Sequence, residues 1–122
     1  MGDFRLSLLA RADIVDILAY THEPFGPQAR LRYERLIATA LRDLANDPER
    51  RGSLARPEFG EAVRSYHLRF SRDRAGGDFG SVRRPRHFVL YRPIAPNLIG
   101  IGRLLHDAME LERHLPADFG EP

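Results

Sequence analysis

The sequence predicts an α+β fold: an N-terminal strand and an antiparallel two-helix hairpin packed on a small antiparallel sheet, with a short C-terminal helix. Three observations carry this reading. Residues 10–22 and 27–45 repeat their apolar side chains at helical spacing, with Pro24 and Gly26 between the two runs. Residues 87–92 and 98–106 are aromatic and aliphatic runs separated by a Pro/Asn turn, the pattern of a β-hairpin at the centre of a sheet. A chain of 122 residues is long enough for one core and too short for two, so residues 1–122 are read as a single domain.

The elements follow in order. Residues 4–9 alternate apolar with polar, as a half-buried first strand requires. In residues 10–22, Ile14, Ile17, Leu18 and Thr21 share one helical face, with Arg11, Asp13 and Asp16 elsewhere. Pro24 disfavours helical geometry at Glu23, so the first helix is expected to stop there. Pro27 suits the first turn of a second helix, whose stripe is Tyr33, Leu36, Ile37, Ala40, Leu41 and Leu44. A short loop between them makes the helices antiparallel neighbours.

Residues 50–60 show no periodicity and read as loop. Residues 62–70 alternate, with Tyr66, Leu68 and Phe70 on one face and Ser65, His67 and Arg69 on the other. Arg64 falls on the apolar face, where a guanidinium needs a carboxylate partner or an opening to solvent. Residues 71–84 form a connection long enough to be either functional or merely mobile. Its Gly76 to Gly80 stretch is not a phosphate loop, because no helix follows and no Lys-Ser/Thr pair closes it. Residues 87–92 are apolar on both faces, as in a central strand. Gly100 and Gly102 fall on one face with Leu104 and His106, leaving either a shallow channel ending at His106 or room for close backbone approach. Asp107 and Glu110 have capping-box spacing ahead of a helix carrying Leu111 and Leu115, and residues 117–122 are expected to be a frayed tail.

Composition narrows the function. There is no cysteine, so disulfides and thiolate metal sites are excluded. No apolar run approaches the roughly 20 residues that span a bilayer, and the N-terminus has no signal-peptide pattern; a cytoplasmic location is expected. All 19 basic residues are arginine, the side chain whose planar fork grips carboxylate or phosphate with two parallel bonds. The net charge of +2 conceals an uneven distribution. Residues 50–92 hold 11 Arg against 4 acids, while both flanking segments are net acidic, so an anionic partner would be drawn to the middle of the chain.

Enzyme signatures are absent: there is no Gly-x-Ser-x-Gly elbow, Walker loop or His-Glu-x-x-His. His67 and His87 could be cross-strand neighbours, but no third ligand stands at a recognisable spacing, and no metal or cofactor is expected. His106 beside Arg92 or Arg103 could donate a proton to a phosphate-bearing substrate. The plainer reading is that it hydrogen-bonds the backbone where the last strand ends.

Residues 10–21, 60–66, 85–92 and 102–115 resemble, in order, the corresponding segments of ParE toxins of the RelE/ParE superfamily, from bacterial type II toxin–antitoxin systems. The most specific segment is the last, Gly102 through Asp107 to Leu115. That resemblance implies the same α+β fold and a toxin neutralised by a ParD-like antitoxin, whose disordered C-terminal part folds onto it. DNA gyrase is the implied target, with no sequence-specific DNA binding by the toxin itself. The expected antitoxin- or target-binding residues are Arg64, Arg84, Arg86, Arg92, Arg103 and His106. The sister RelE branch implies the alternative, a ribosome-dependent mRNA endonuclease centred on His106, Arg64 and Arg103. Phe88 stands where a phosphate-binding arginine is expected, Asp107 replaces the aromatic after the histidine, and the lysines of some members have no counterpart. Each missing donor can cost on the order of a hundredfold in rate, so a non-enzymatic toxin is expected.

Overall fold

The computed structural model describes residues 1–77 and 80–121. Strand β1 (Asp3–Leu6) leads directly into helix α1 (Leu8–Asn46), and β2 (Leu54–Ala55), β3 (Arg64–His67), β4 (His87–Ala95) and β5 (Leu98–His106) complete the sheet. The spatial order is β1-β5-β4-β3-β2. The hairpin β4–β5 is the centre, as its two apolar runs predict, and it turns at Asn97, which takes a left-handed φ of 57°. The sheet is mixed, however, because β1 pairs parallel to β5.

Two separate helices joined by a loop are not found. Helix α1 is one element of 39 residues, and the expected loop reduces to a break at Gly26, where φ is 88° and ψ 175°. Pro24 is accommodated inside helical geometry two residues before the break, and Pro27 follows directly after it, where its missing N–H costs little. Straight, 39 residues would extend about 58 Å. Both ends instead lie against the same strand pair: Ser7, the N-cap, donates to the Gly102 carbonyl at 2.8 Å, and a side chain at Gly2 would run into the carbonyl of Ala45. The bend at Gly26 is therefore what lets α1 cover the sheet.

The face of the sheet under α1 is the main core: Tyr66, Val89, Tyr91, Ile99, Ile101 and Leu104 pack with Leu36, Ile37, Ala40, Leu41 and Leu44. The opposite face holds a smaller cluster of Leu90, Leu105 and Leu111 with Phe59, Phe88 and Leu115. Two covered faces explain the unbroken apolar run of β4. The register slips between Leu90, opposite Arg103, and Tyr91, opposite Ile101. This bulge separates residues that strict alternation places together, so Leu104 enters the core under α1 while Gly100 and Gly102 meet the C-terminal segment.

Other expectations need correcting. Strand β3 ends at His67 and passes into a 3-10 turn, Leu68–Ser71, because the His67 ring accepts from the Arg69 N–H at 3.1 Å and caps it. Residues 50–60 contain β2 and a 3-10 turn, Pro57–Phe59. No C-terminal α-helix forms; there is one 3-10 turn, Leu111–Arg113, since the Asp107 carboxylate that should cap a helix is held by His67 and Arg86. Within the C-terminal segment, Phe119 is only 4% exposed. Pro122 and the middle of the Gly76 to Gly80 stretch lie outside the described residues. Among the described residues, no helix is long and apolar enough to cross a membrane.

Candidate functional site

Arginine dominates the middle of the sequence, and the fold sorts these side chains into two groups. One group is committed internally. Arg103 is held by both oxygens of Asp13 at 2.8 and 2.9 Å, and Asp13 also accepts from the Leu104 N–H at 3.0 Å. The carboxylate raises the guanidinium above its already high range. Arg64 donates to the Ser53 hydroxyl at 2.7 Å and lies half-buried, so hydroxyl and carbonyl oxygens fill the role expected of a carboxylate. Arg92 is paired with Glu121 and stands 4.5 Å from the centre of the Phe119 ring. Arg50, which sequence reasoning passed over, joins Asp43, Tyr66 and Ser71 in a network that fastens α1 to the turn after β3.

The second group faces outward. Arg69, Arg83, Arg84 and Arg86 are exposed; Arg74 is exposed too but donates to the buried Asp43 carboxylate at 3.0 Å, and Arg72 reaches the Arg83 carbonyl at 3.0 Å, binding the two sides of the connection together. From α1, Arg35 lies against Gly77. The result is a cationic rim along the open end of β3 and β4. Of the six predicted site residues, Arg84 and Arg86 belong to this rim, while Arg64, Arg92 and Arg103 do not.

His106 lies at the border of the rim, within a polar cluster that closes the β4–β5 hairpin. His87 and His106 are opposite one another, with ring centres 5.3 Å apart and edge to face. The Tyr33 hydroxyl reaches His87 Nδ1 at 2.6 Å and accepts from the Arg86 N–H at 3.0 Å, so its own proton points to the histidine. Burial pushes the Tyr33 phenol up to about 12. Burial, aided by the neighbouring His106, brings His87 down to about 4, which keeps the ring neutral and accepting. On the other face, the His67 Nε2–H donates to Asp107 at 3.0 Å, and Arg86 binds the second Asp107 oxygen at 3.0 Å. Partial burial works to raise Asp107, but these two donors outweigh it and hold the carboxyl below its usual range. Burial lowers His67 as well, against the pull of Asp107.

His106 itself accepts from the Ala108 N–H at 3.0 Å, the backbone contact that the plainer reading assigns to it. His67 and His87 are not the cross-strand pair considered for a metal, because His67 lies opposite Phe88. Among the described residues, no group of three or more potential ligands is assembled. The cluster therefore consists of three histidine rings, the Tyr33 phenol, one carboxylate and one exposed guanidinium. It can hold an anion or an acidic chain at Arg86, and it holds its own histidines in fixed tautomers.

Sequence reasoning missed Asp13, Tyr33, Asp43, Asp107 and Glu121 as partners. Only Asp13 carried a signal, since it borders the buried stripe of α1 and a carboxylate there needs a cation.

With this geometry in hand, comparison with known families is decisive. Residues 4–111 match the family described as ParE toxin of type II toxin–antitoxin system, parDE. The chain belongs to that family. The match runs from β1 through the hairpin cluster into the last 3-10 turn, so it covers every strand of the sheet and all of α1. No curated protein matches the sequence. A ParE-family chain is the toxin component of a type II toxin–antitoxin system, and such a system supplies an antitoxin as partner.

Proposed function

We propose that this ParE-family toxin acts by binding: a ParD-like antitoxin neutralises it, and the free toxin inhibits DNA gyrase in the cytoplasm. The observation that carries the proposal is the family match across residues 4–111. The outward arginines support the antitoxin half of it. Arg69, Arg83, Arg84 and Arg86 come from the segment with the largest positive excess, and they suit a disordered acidic tail that orders on contact.

The geometry weighs against the nuclease alternative. Such an enzyme would need His106, Arg64 and Arg103 to converge on one phosphate. Arg64 lies opposite Tyr91, whereas His106 lies opposite His87, four residues away along β4, or about 13 Å at strand rise. Arg103 is already saturated by Asp13.

Two assays run side by side test the proposal. In a gyrase supercoiling assay the purified chain is expected to inhibit, and added antitoxin is expected to restore activity. In a ribosome-bound mRNA assay no cleavage is expected; cleavage that His106→Ala abolishes would reverse the assignment.

A further inference from the structure

Residues 112–121 lie beyond the 4–111 match, yet their last part is fitted closely to the matched sheet. Phe119 is 4% exposed. Its seat exists because β5 carries no side chain at two positions: a Cβ on Gly100 would run into the Phe119 carbonyl, and one on Gly102 would lie 2.7 Å from the Phe119 ring. Arg92 stands over that ring and pairs with Glu121. Glu121 also accepts from the Phe119 N–H at 3.2 Å, with Gly120 in left-handed geometry at φ 89°, so Phe119, Gly120 and Glu121 form one compact unit. Pro116 lies against Gly102, and Gly120 lies beside Arg5, Leu6 and Ser7, so side-chain and van der Waals fit hold the segment. Among the described residues, no backbone hydrogen bond joins residues 115–121 to the sheet, and Ala117 and Asp118 are exposed. A shallow cavity lined by Glu61, Ala62, Arg92, Pro93, Ile94 and Glu121 opens at the end of the seat.

We propose that residues 116–121 are a strap occupying a peptide seat, formed by Gly100, Gly102 and Arg92, which a partner segment of the same chemistry displaces. The segment it fits is extended and carries an aromatic side chain with a carboxylate two residues later. The aromatic ring enters the glycine-lined channel, and the carboxylate takes Arg92 from Glu121. The absence of a backbone ladder is what makes the strap exchangeable, while side-chain fit gives the seat its selectivity. The antitoxin reading above supplies the identity of the partner; the seat itself does not depend on that reading.

A labelled peptide of residues 115–121, titrated into the 122-residue chain and into its Phe119→Ala/Glu121→Gln variant, tests the seat directly. The chain's own strap competes at an effective concentration on the order of millimolar, so the variant is expected to bind at least about tenfold more tightly than the unaltered chain. The amide signals of Gly100 and Gly102 should shift as the variant saturates, and adding Arg92→Gln to the variant should weaken binding. Equal affinity for the two chains, no binding by a variant that keeps a folded spectrum, or binding that leaves the Gly100 and Gly102 signals in place overturns the proposal. Peptide binding to the variant by a chain that ignores its antitoxin would keep the seat and remove the antitoxin reading instead.

Discussion

Asp13 and Arg103 show what a single pair does here. Their side chains are 13% and 19% exposed, and Asp13 reaches across from α1 to both the guanidinium and the backbone of the strand beneath it. Removing one member leaves the other charged in a poorly hydrated place. Asp13→Ala is therefore expected to destabilise the chain by about 2 to 3 kcal/mol in urea unfolding, whereas Arg84→Ala, at an exposed site, should change stability by less than about 0.5 kcal/mol. His87 gives a prediction in pH. It titrates near 6.5 when unfolded and at about 4 when folded, so below 6.5 the unfolded chain binds more protons. Stability is then intact above about pH 6.5 and falls as pH drops towards 4; His87 alone contributes a loss of about 2 kcal/mol between pH 7 and 5. His67, also lowered by burial, adds in the same direction. His87→Gln should flatten the slope of stability measured across that range.

Individual partners were the least legible level of this sequence. Arg103 and Asp13 are 90 residues apart, and Arg92 and Glu121 are 29 apart, so no local spacing announces either pair. Asp107 shows the same limit from the other side. Its capping-box spacing to Glu110 is genuine as a local signal, but His67, 40 residues away, captures the carboxylate and a 3-10 turn results.

At the scale of elements, the β4–β5 hairpin was readable because apolar runs on both sides of a turn leave few other outcomes. The bulge at Leu90 and Tyr91 was not, and it changes which face each later residue takes. The helical region was read correctly in type and wrongly in connection. Pro24 is a strong stop signal, yet the chain tolerates it, and Gly26 alone makes the break. A side chain at Gly26 would meet nothing within 4 Å, so any cost of Gly26→Ala is a backbone cost. That substitution is expected to lower stability by about 1 to 2 kcal/mol, read as a fall in the denaturation midpoint with no change in slope. The glycines of β5 were legible as a place of close approach, but the sequence does not say what approaches; the structure brings Phe119 there.

At the scale of the whole molecule, the charge distribution of the sequence maps onto distinct parts of the fold. The excess of arginine in residues 50–92 becomes two layers, one locked into the fold and one lining the open end of β3 and β4. Family membership makes the chain a toxin with an antitoxin partner, and the proposed contact between them runs through the guanidinium groups of this rim. Such contacts weaken as salt screens them, over a Debye length of about 10 Å at 0.1 M. The most direct measurement is the affinity of the chain, and of its Arg84→Glu/Arg86→Glu variant, for its antitoxin, across a series of salt concentrations. Binding by the unaltered chain is predicted to weaken steadily with salt, and the variant to bind at least about tenfold more weakly at low salt with a shallower dependence. Equal affinities with equal salt dependence would contradict the account.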